Sequence, residues 1–161
     1  APPRAPSRAR VGARGGVAPR FVWGDSADSD GYTASRRGKA PANASFTGYQ
    51  FGKAYQQLSS NAGLFVLAAT VGGTHPVLVE QMAAGNAIVA RETESNREVL
   101  GDAGLFWDTP DQLAELLAQV WGDAGRLEEL GEAARRRARE RYDWEKVTSR
   151  YLELSETTSP G

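Results

Sequence analysis

The stretch from Gly72 to Ala90, GGTHPVLVEQMAAGNAIVA, constrains the fold of this chain more than any other. Its leading glycines allow backbone N–H groups to approach a ligand closely, with no side chain in the way. Pro76 suits the first turn of a helix, since the N–H that it lacks would be unpaired there anyway. Gly85 is typical of a left-handed helix end. The pattern therefore predicts a glycine loop, then a short helix, then an apolar strand that is buried on both faces.

The predicted helix, Val77–Ala84, directs its free N–H groups back towards the glycine loop. Such an end attracts anions, because the first N–H groups of a helix have no intrahelical partners. Glu80, one turn into the helix, adds a carboxylate that can accept hydrogen bonds from ribose hydroxyls. The stretch therefore suits a nucleotide diphosphate, and the residues predicted to contact it are Gly72, Gly73, Thr74, His75, Val77, Leu78 and Glu80.

Each of these residues also has a purely structural interpretation. The loop could be an ordinary turn between a strand and a helix. Glu80 could be a surface acid that the helix macrodipole favours near the N-terminus. His75 is the only histidine of the chain, so it could contact the sugar or a phosphate, or simply shape the turn before Pro76. It has no cluster of further ligand residues around it, and a metal site is not expected.

Strands and helices alternate along the rest of the chain. This order predicts an α/β fold with a doubly wound, Rossmann-like parallel sheet and helices on both faces. Predicted strands cover 20–23, 44–47, 64–67, 87–90 and 105–107. Predicted helices cover 53–61, 77–84, 95–100, 126–141, a segment that begins at 109 and a last segment that is capped by Asp143.

Three local predictions can be compared directly with the structure. In the helix over 53–61, Tyr55 and Leu58 are expected to point inward. Ser95 is expected to be the N-cap of the helix that follows it. The arginine run 135–137 is expected to form a solvated helix face.

Composition limits the class of protein. The chain has 161 residues, a net charge of −1 and no cysteine, so it has no general attraction for nucleic acid and can form no disulfide. No apolar run approaches the roughly 20 residues that a membrane-spanning helix needs. Residues 1–20 hold five arginines and hardly any large apolar side chain, which predicts a disordered or irregular segment. The expected organisation is this segment, a domain over 21–155 and a tail over 156–161, in a cytoplasmic protein that could lie at the inner membrane face.

Four segments, in order, resemble retaining GT-B glycosyltransferases of family four, which include sucrose synthases and bacterial polysaccharide and rhamnosyl-type transferases. VEQMAAGNAIVA is similar to the second half of their donor-binding signature. VGGTHP is similar to the loop of a bacterial subgroup. SNREVLGDAGLFWD and RYDWEKVTSRYLEL resemble the next loop and the C-terminal helix of the family. The resemblance covers roughly residues 21–154.

The resemblance implies that the chain is the C-terminal, donor-binding half of a GT-B fold. It implies retaining transfer of a hexosyl group from a UDP-, dTDP- or GDP-linked sugar to a polysaccharide or small acceptor, without a cofactor or a metal. The backbone at Thr47, Gly48 and Tyr49 would meet the base, and Arg97 could neutralise phosphate. The partner would be an N-terminal acceptor-binding domain, and the resemblance assigns no catalytic residue within this chain.

The chain departs from the family pattern at two places. Gly72 stands where the family has a glutamate that binds the donor sugar. The segment SRARVGARGGVAPR does not have the pattern of the family's Arg and Lys clamp on the diphosphate, and only Arg14 could substitute. The chain alone is therefore expected to be inactive. Two alternatives follow: a non-catalytic remnant or nucleotide-binding interaction module with the same fold, or a different doubly wound domain such as half of an epimerase.

Overall fold

The protein is described here by a computed structural model. The structure describes residues 21–23, 40, 42–70, 73 and 75–157. The basic segment 1–20, which includes Arg14, lies outside the described residues, as do Gly72 and Thr74 of the predicted loop. The elements are β1 Phe21–Trp23, β2 Ala44–Phe46, α1 Gly52–Asn61, β3 Leu64–Leu67, α2 Pro76–Ala84, β4 Ala87–Arg91, α3 Glu94–Leu100, a 3₁₀ turn Gly101–Ala103, β5 Leu105–Trp107, α4 Pro110–Val120, α5 Ala124–Arg141 and α6 Trp144–Thr157.

The chain divides into two compact units. One contains the described residues between Gly12 and Ser59, and the other contains those from Ser60 onward. In the first unit β1 and β2 form a parallel pair. In the second unit three parallel strands form a sheet in the order β3-β4-β5. The extent of the single domain predicted over 21–155 stays a prediction.

Both faces of the three-stranded sheet are packed against helices. On one face Phe65 pairs in register with Ile88, and Ala90 pairs with Phe106. This face packs against α2, α3 and α5 through Leu78, Met82, Val99, Leu100, Ala134 and Ala138. The other face packs against α4 and α5, and this cluster consists of Leu64, Ala87, Leu105, Val120, Leu127 and Leu130.

The central strand β4 explains the apolar run in the sequence. Ala87, Ile88, Val89 and Ala90 are at most 1% exposed, as expected for a parallel strand that is covered on both sides. The predicted fold class, an α/β domain with a parallel sheet, is confirmed.

Helix α2 begins and ends as its sequence predicts. Pro76 occupies the first turn, and Gly85 ends the helix in the left-handed region with φ 77°. The Gly85 N–H donates to the Met82 carbonyl at 2.9 Å, which satisfies one of the carbonyls at the helix end. Leu78 and Met82 are fully buried, and burial of each contributes about 1.5–3 kcal/mol. The helix is therefore held to the sheet by one apolar face and by its C-terminal end.

The arginine run on α5 is not the solvated face that we predicted. Arg135 and Arg137 are half-buried, whereas Arg136 is exposed. The Arg135 guanidinium donates to the carbonyl of Ala84, the last residue of α2, at 2.6 Å. Arg137 donates to the carbonyl of Val99, near the end of α3, at 2.7 Å. The last carbonyls of a helix lack intrahelical partners, so they attract cationic donors from a neighbouring element.

Two further predictions are wrong: that Ser95 is the N-cap of α3, and that Leu58 of α1 points inward. Helix α3 begins one residue earlier than expected, and Thr93 is its N-cap, accepting a hydrogen bond from the Asn96 N–H at 3.2 Å. Thr93 and Ser95 can both cap a helix, and the acidic residue after Thr93 favours the earlier start. Leu58 of α1 is 37% exposed, and no described residue of this helix is buried.

Candidate functional site

The candidate site lies where β3 leads into α2. Parallel sheets of this type present their ligand sites at the carboxyl ends of the strands, and β3 ends at Leu67. Gly73 is exposed, and His75, half-buried, is the N-cap residue of α2. His75 has an extended backbone, with φ −79° and ψ 112°, and its side chain makes no capping hydrogen bond. The imidazole therefore has no part in holding the helix start.

Two amides of the first turn of α2 are predicted to bind phosphate. The Leu78 N–H donates to the His75 carbonyl at 2.9 Å, so it is already engaged within the turn. Pro76 has no N–H to offer. Of the two predicted amides, Val77 is consequently the better placed to face a ligand at this helix end.

Glu80 lies on the solvent face of α2. It is exposed, whereas Leu78 and Met82, two residues away on either side, are fully buried. With a rise of about 1.5 Å per residue, Glu80 stands about 6 Å along the axis from the first residue of the helix. The Glu80 carboxylate is therefore on the accessible side of the helix, several ångströms from its amide end.

Helix α3 presents two neighbouring side chains in opposite directions. The Asn96 amide group is fully buried and donates to the Arg91 carbonyl at 2.9 Å, at the end of β4, with Ala69 beyond β3 at 3.5 Å. The guanidinium of Arg97 lies over the ring of Phe106, 4.4 Å from its centroid. Phe106 belongs to β5, and β3 is at the opposite edge of the sheet. The structure therefore directs Asn96 towards the strand that leads to the glycine loop, and Arg97 away from it.

Asn96 is the residue that sequence reasoning did not select for the site. Its Oδ1 atom is buried with no hydrogen-bond partner, which is uncommon for a polar atom in a protein interior. The only signal in the sequence was an asparagine in the first turn of a short helix, where such residues are common for local reasons.

Arg97 also has a strong local partner. Its Nε atom donates to Glu92 Oε1 at 2.7 Å, and its Nη2 atom pairs with Glu92 Oε2, so the guanidinium binds both carboxylate oxygens. These hydrogen bonds hold the pKa of Glu92 below its usual value, and desolvation acts in the opposite direction. The same carboxylate raises the pKa of Arg97. In this structure Glu92 neutralises the charge of Arg97, the residue that was predicted to contact phosphate.

The predicted base contact lies in the other compact unit, after β2. Gly48 has φ 66°, a left-handed conformation that favours glycine, and the Thr47 carbonyl accepts a hydrogen bond from Gln50 Nε2 at 2.7 Å. Tyr49 is 65% exposed and its ring stacks against that of Phe51, with centroids 6.0 Å apart. The turn thus presents an aromatic face and unburied backbone to solvent.

Two further features were sought in the described part of the chain. It contains no group of three or more histidine, cysteine, aspartate or glutamate residues that could hold a metal ion. None of its helices combines the length and the apolar character that crossing a membrane requires.

Solved structures of the same fold support the assignment of architecture. The structure of TarM matches 84% of this chain and 28% of its own, with a TM-score of 0.71 and 19% identity. Sucrose-phosphate synthase from Thermosynechococcus elongatus matches 84% of this chain and 37% of its own, with a TM-score of 0.71 and 20% identity. HepE from Anabaena, in complex with UDP, matches 81% and 36%, with a TM-score of 0.69 and 18% identity.

At these identities the likeness is one of fold, and the fold is that of GT-B glycosyltransferases. The chain spans between 28% and 37% of the length of these three proteins. None of the curated proteins is detectably similar to it in sequence. A family model described as glycosyl transferases group 1 matches residues 16–123, about two thirds of the 161 residues. The chain therefore belongs to the group 1 glycosyltransferases.

Proposed function

We propose that this chain is the donor-binding half of a retaining glycosyltransferase of family four, in the rhamnosyltransferase-like subgroup. It would bind a nucleotide-diphosphate sugar, whose hexosyl group is transferred to an acceptor such as a polysaccharide. The acceptor would be bound by a separate N-terminal domain, and this chain alone would be inactive. The proposal places the protein in the cytoplasm, where nucleotide sugars are available, and it requires no cofactor.

The observation that carries this proposal is the N-terminus of α2 at the carboxyl end of β3. A helix N-terminus carries about half a positive charge and presents unpaired N–H groups, so it favours a diphosphate. Gly73 leaves room for the ligand, and the Val77 amide supplies a donor. His75, whose side chain makes no capping bond, would contact the diphosphate or the sugar.

Glu80 would then accept hydrogen bonds from the ribose hydroxyls. Its exposed position about 6 Å along the helix suits a group that follows the diphosphate in the ligand. Tyr49 and the backbone of Thr47 and Gly48 would meet the base, as the family resemblance implies. HepE was crystallised with UDP and with UDP-glucose, which is in line with a UDP-linked donor, and dTDP and GDP are the other candidates.

The second candidate function is a non-catalytic nucleotide-binding module. Two observations favour it: Gly72 replaces the glutamate that the family uses on the donor sugar, and the Arg97 guanidinium is engaged by Glu92. Any contact between Arg97 and phosphate would require its guanidinium to leave Glu92 and turn away from β5. Such a module would bind nucleotide but support no transfer when joined to an acceptor domain.

The test is a titration of the full chain with UDP, dTDP and GDP, followed by the backbone amide signals in NMR spectra. We expect one nucleotide to shift the signals of residues 73–80 in a saturable manner. Glu80→Gln preserves the size of the side chain but removes its charge, so it should weaken binding about tenfold or more. Glu98→Gln, which changes an exposed carboxylate on α3, is the matched control and should leave the affinity unchanged.

Three results would count against the proposal. A folded chain whose signals do not move with any of the three nucleotides would contradict the donor site. Equal effects of Glu80→Gln and Glu98→Gln would remove the role of Glu80. Binding of nucleotide with no transfer after addition of an acceptor domain from a related enzyme would favour the non-catalytic module.

A further inference from the structure

A groove of about 360 Å³ lies beside β5, away from the candidate donor site. It is formed by the carboxyl ends of β4 and β5 and by one face of α4. Its lining residues include Glu92, Phe106, Trp107, Asp108, Glu115 and Gln119. None of these belongs to the residues predicted to bind a nucleotide. Its volume lies within the range of small-molecule sites, about 300–1,000 Å³, and the carboxyl ends of parallel strands are where ligands of such sheets bind.

The charges around the groove disfavour an anion. Two arginines stand near it, and both are already paired. Arg97 binds the Glu92 carboxylate, and Arg91 forms an ion pair with Asp108 at 2.9 Å. Glu115 adds an exposed carboxylate to the wall. A phosphate or a nucleotide would have to break these pairs and approach Glu115, so the groove is suited to a neutral ligand.

The chemistry of the wall suits a ligand that is apolar on one side and rich in hydroxyls at its edge. Trp107 supplies aromatic surface at the end of β5, and the Arg91 guanidinium lies over its ring, 5.0 Å from the centroid. Phe106, its neighbour in the strand, points to the opposite face of the sheet, where Arg97 covers its ring. Glu115 and Gln119 are one turn apart on α4, so their carboxylate and amide reach the same side of the groove. A pyranose ring has this combination of an apolar C–H face and a rim of hydroxyls.

The indole N–H of Trp107 provides a second, independent observation. Trp107 Nε1 is buried and has no hydrogen-bond partner in the structure. A buried tryptophan N–H usually has an acceptor, and leaving one unpaired is costly. Because Trp107 lines the groove, a ligand hydroxyl that reached Nε1 would be an acceptor for it.

We propose that this groove binds a sugar unit of a glycan, at a site separate from the nucleotide site. Glu115 and Gln119 bind its hydroxyls, and the Trp107 ring packs against its apolar face. The ligand class follows from a wall that disfavours anions and offers hydrogen-bonding groups and an indole ring, in a protein of a family that transfers sugars. The proposal does not depend on nucleotide binding at α2, because the two sites share no residue.

The experiment titrates the full chain with the methyl α-glycosides of glucose, galactose, mannose and rhamnose, and with maltotriose as a linear glycan. The readout is the indole N–H signal of Trp107 in NMR spectra, assigned with Trp107→Phe, together with the amide signals of 115–119. We expect at least one saccharide to shift these signals with a Kd of about 1–10 mM. A tighter Kd for maltotriose than for the monosaccharides would identify a chain rather than a single sugar as the ligand.

Variants of residues that line the groove test whether the saccharide binds there. Glu115→Ala combined with Gln119→Ala changes only exposed side chains of α4, and should weaken saccharide binding at least tenfold. Glu132→Ala, an exposed carboxylate on α5 outside the groove, should have no effect. No shift with any saccharide up to about 100 mM would overturn the proposal, as would shifts that the double variant leaves unchanged. Nucleotide titration of the same samples reports on residues 73–80, so failure of one site is distinguishable from failure of the other.

Discussion

Gly131 on α5 is the position where the smallest change should have the largest effect on the fold. A Cβ atom added there would lie 2.3 Å from the carbonyl oxygen of Gly85, whereas ordinary contacts begin at 3.4 Å. The nearest atoms to the added Cβ are backbone atoms of Gly85. They cannot rotate aside as the atoms of a side chain would. Gly131→Ala therefore requires α5 and the end of α2 to separate by about 1 Å.

The magnitude follows from two opposing terms. Alanine favours a helix interior over glycine by about 1 kcal/mol. Overpacking of a tight contact costs about 1–3 kcal/mol and occasionally more, and the hydrogen bond from Arg135 to Ala84 would also lengthen, at about 1 kcal/mol. We expect a net loss of about 1–3 kcal/mol in the free energy of unfolding. For a chain of this size that is a fall in Tm of about 2–4 °C for each kcal/mol.

The measurement is urea and thermal unfolding followed by circular dichroism, with Gly125→Ala as the control on the same helix. A Cβ at Gly125 would lie 3.5 Å from the Asp123 carboxylate, which is an ordinary contact, so this variant should be neutral or more stable by up to about 1 kcal/mol. If Gly131→Ala were as stable as Gly125→Ala, the close approach of α5 to the end of α2 would be wrong.

Three further predictions concern the helix ends and the ion pair beside them. Thr93→Ala should lower the free energy of unfolding by about 1 kcal/mol and Ser95→Ala by much less; urea unfolding curves with the reverse order would show that Ser95 is the cap after all. Because its pKa is lowered in the folded state, Glu92 stabilises the fold above the ordinary pKa of a glutamate, and this contribution is lost as pH falls through the lowered value. Stability measured from about pH 6 down to pH 3 should therefore fall more in the wild type than in Glu92→Gln, and parallel profiles would show that Arg97 does not perturb this carboxylate. His75→Asp should stabilise the fold by about 1 kcal/mol and weaken nucleotide binding, as measured by unfolding and by nucleotide titration.

The local sequence pattern was sufficient to predict the strands of the sheet and helix α2. The short apolar run over 87–90, which follows a helix end, was predicted as a strand covered on both faces and forms β4, and the left-handed Gly85 marks the end of the preceding helix. The roles of Arg135 and Arg137 could not be predicted in this way. Their partners are carbonyls 51 and 38 residues away in the chain, and only the docking of α5 brings them together.

The candidate site was predictable to the extent that it is contiguous. Gly73, His75 and Glu80 are brought together by one loop and one helix, so their proximity follows from sequence alone. Arg97 and Asn96 are adjacent on α3, and the sequence cannot show which of them faces β3. That depends on how α3 lies on the sheet, and there the buried amide of Asn96 takes the inner position while Arg97 extends over Phe106.

The N-terminus of α2 explains why the His75→Asp variant should separate stability from binding. The N-termini of α3, α4 and α5 are capped by the side chains of Thr93, Thr109 and Asp123, whereas His75 makes no capping bond. An aspartate there would accept a hydrogen bond from an amide of the first turn, which should stabilise the helix by about 1 kcal/mol. It would also place a negative charge where a diphosphate should bind, so it would compete electrostatically with the ligand. His75→Ala, which adds neither a cap nor a charge, separates these effects from loss of the imidazole. If His75→Asp bound nucleotide as tightly as the wild type, the helix end would not be the diphosphate site.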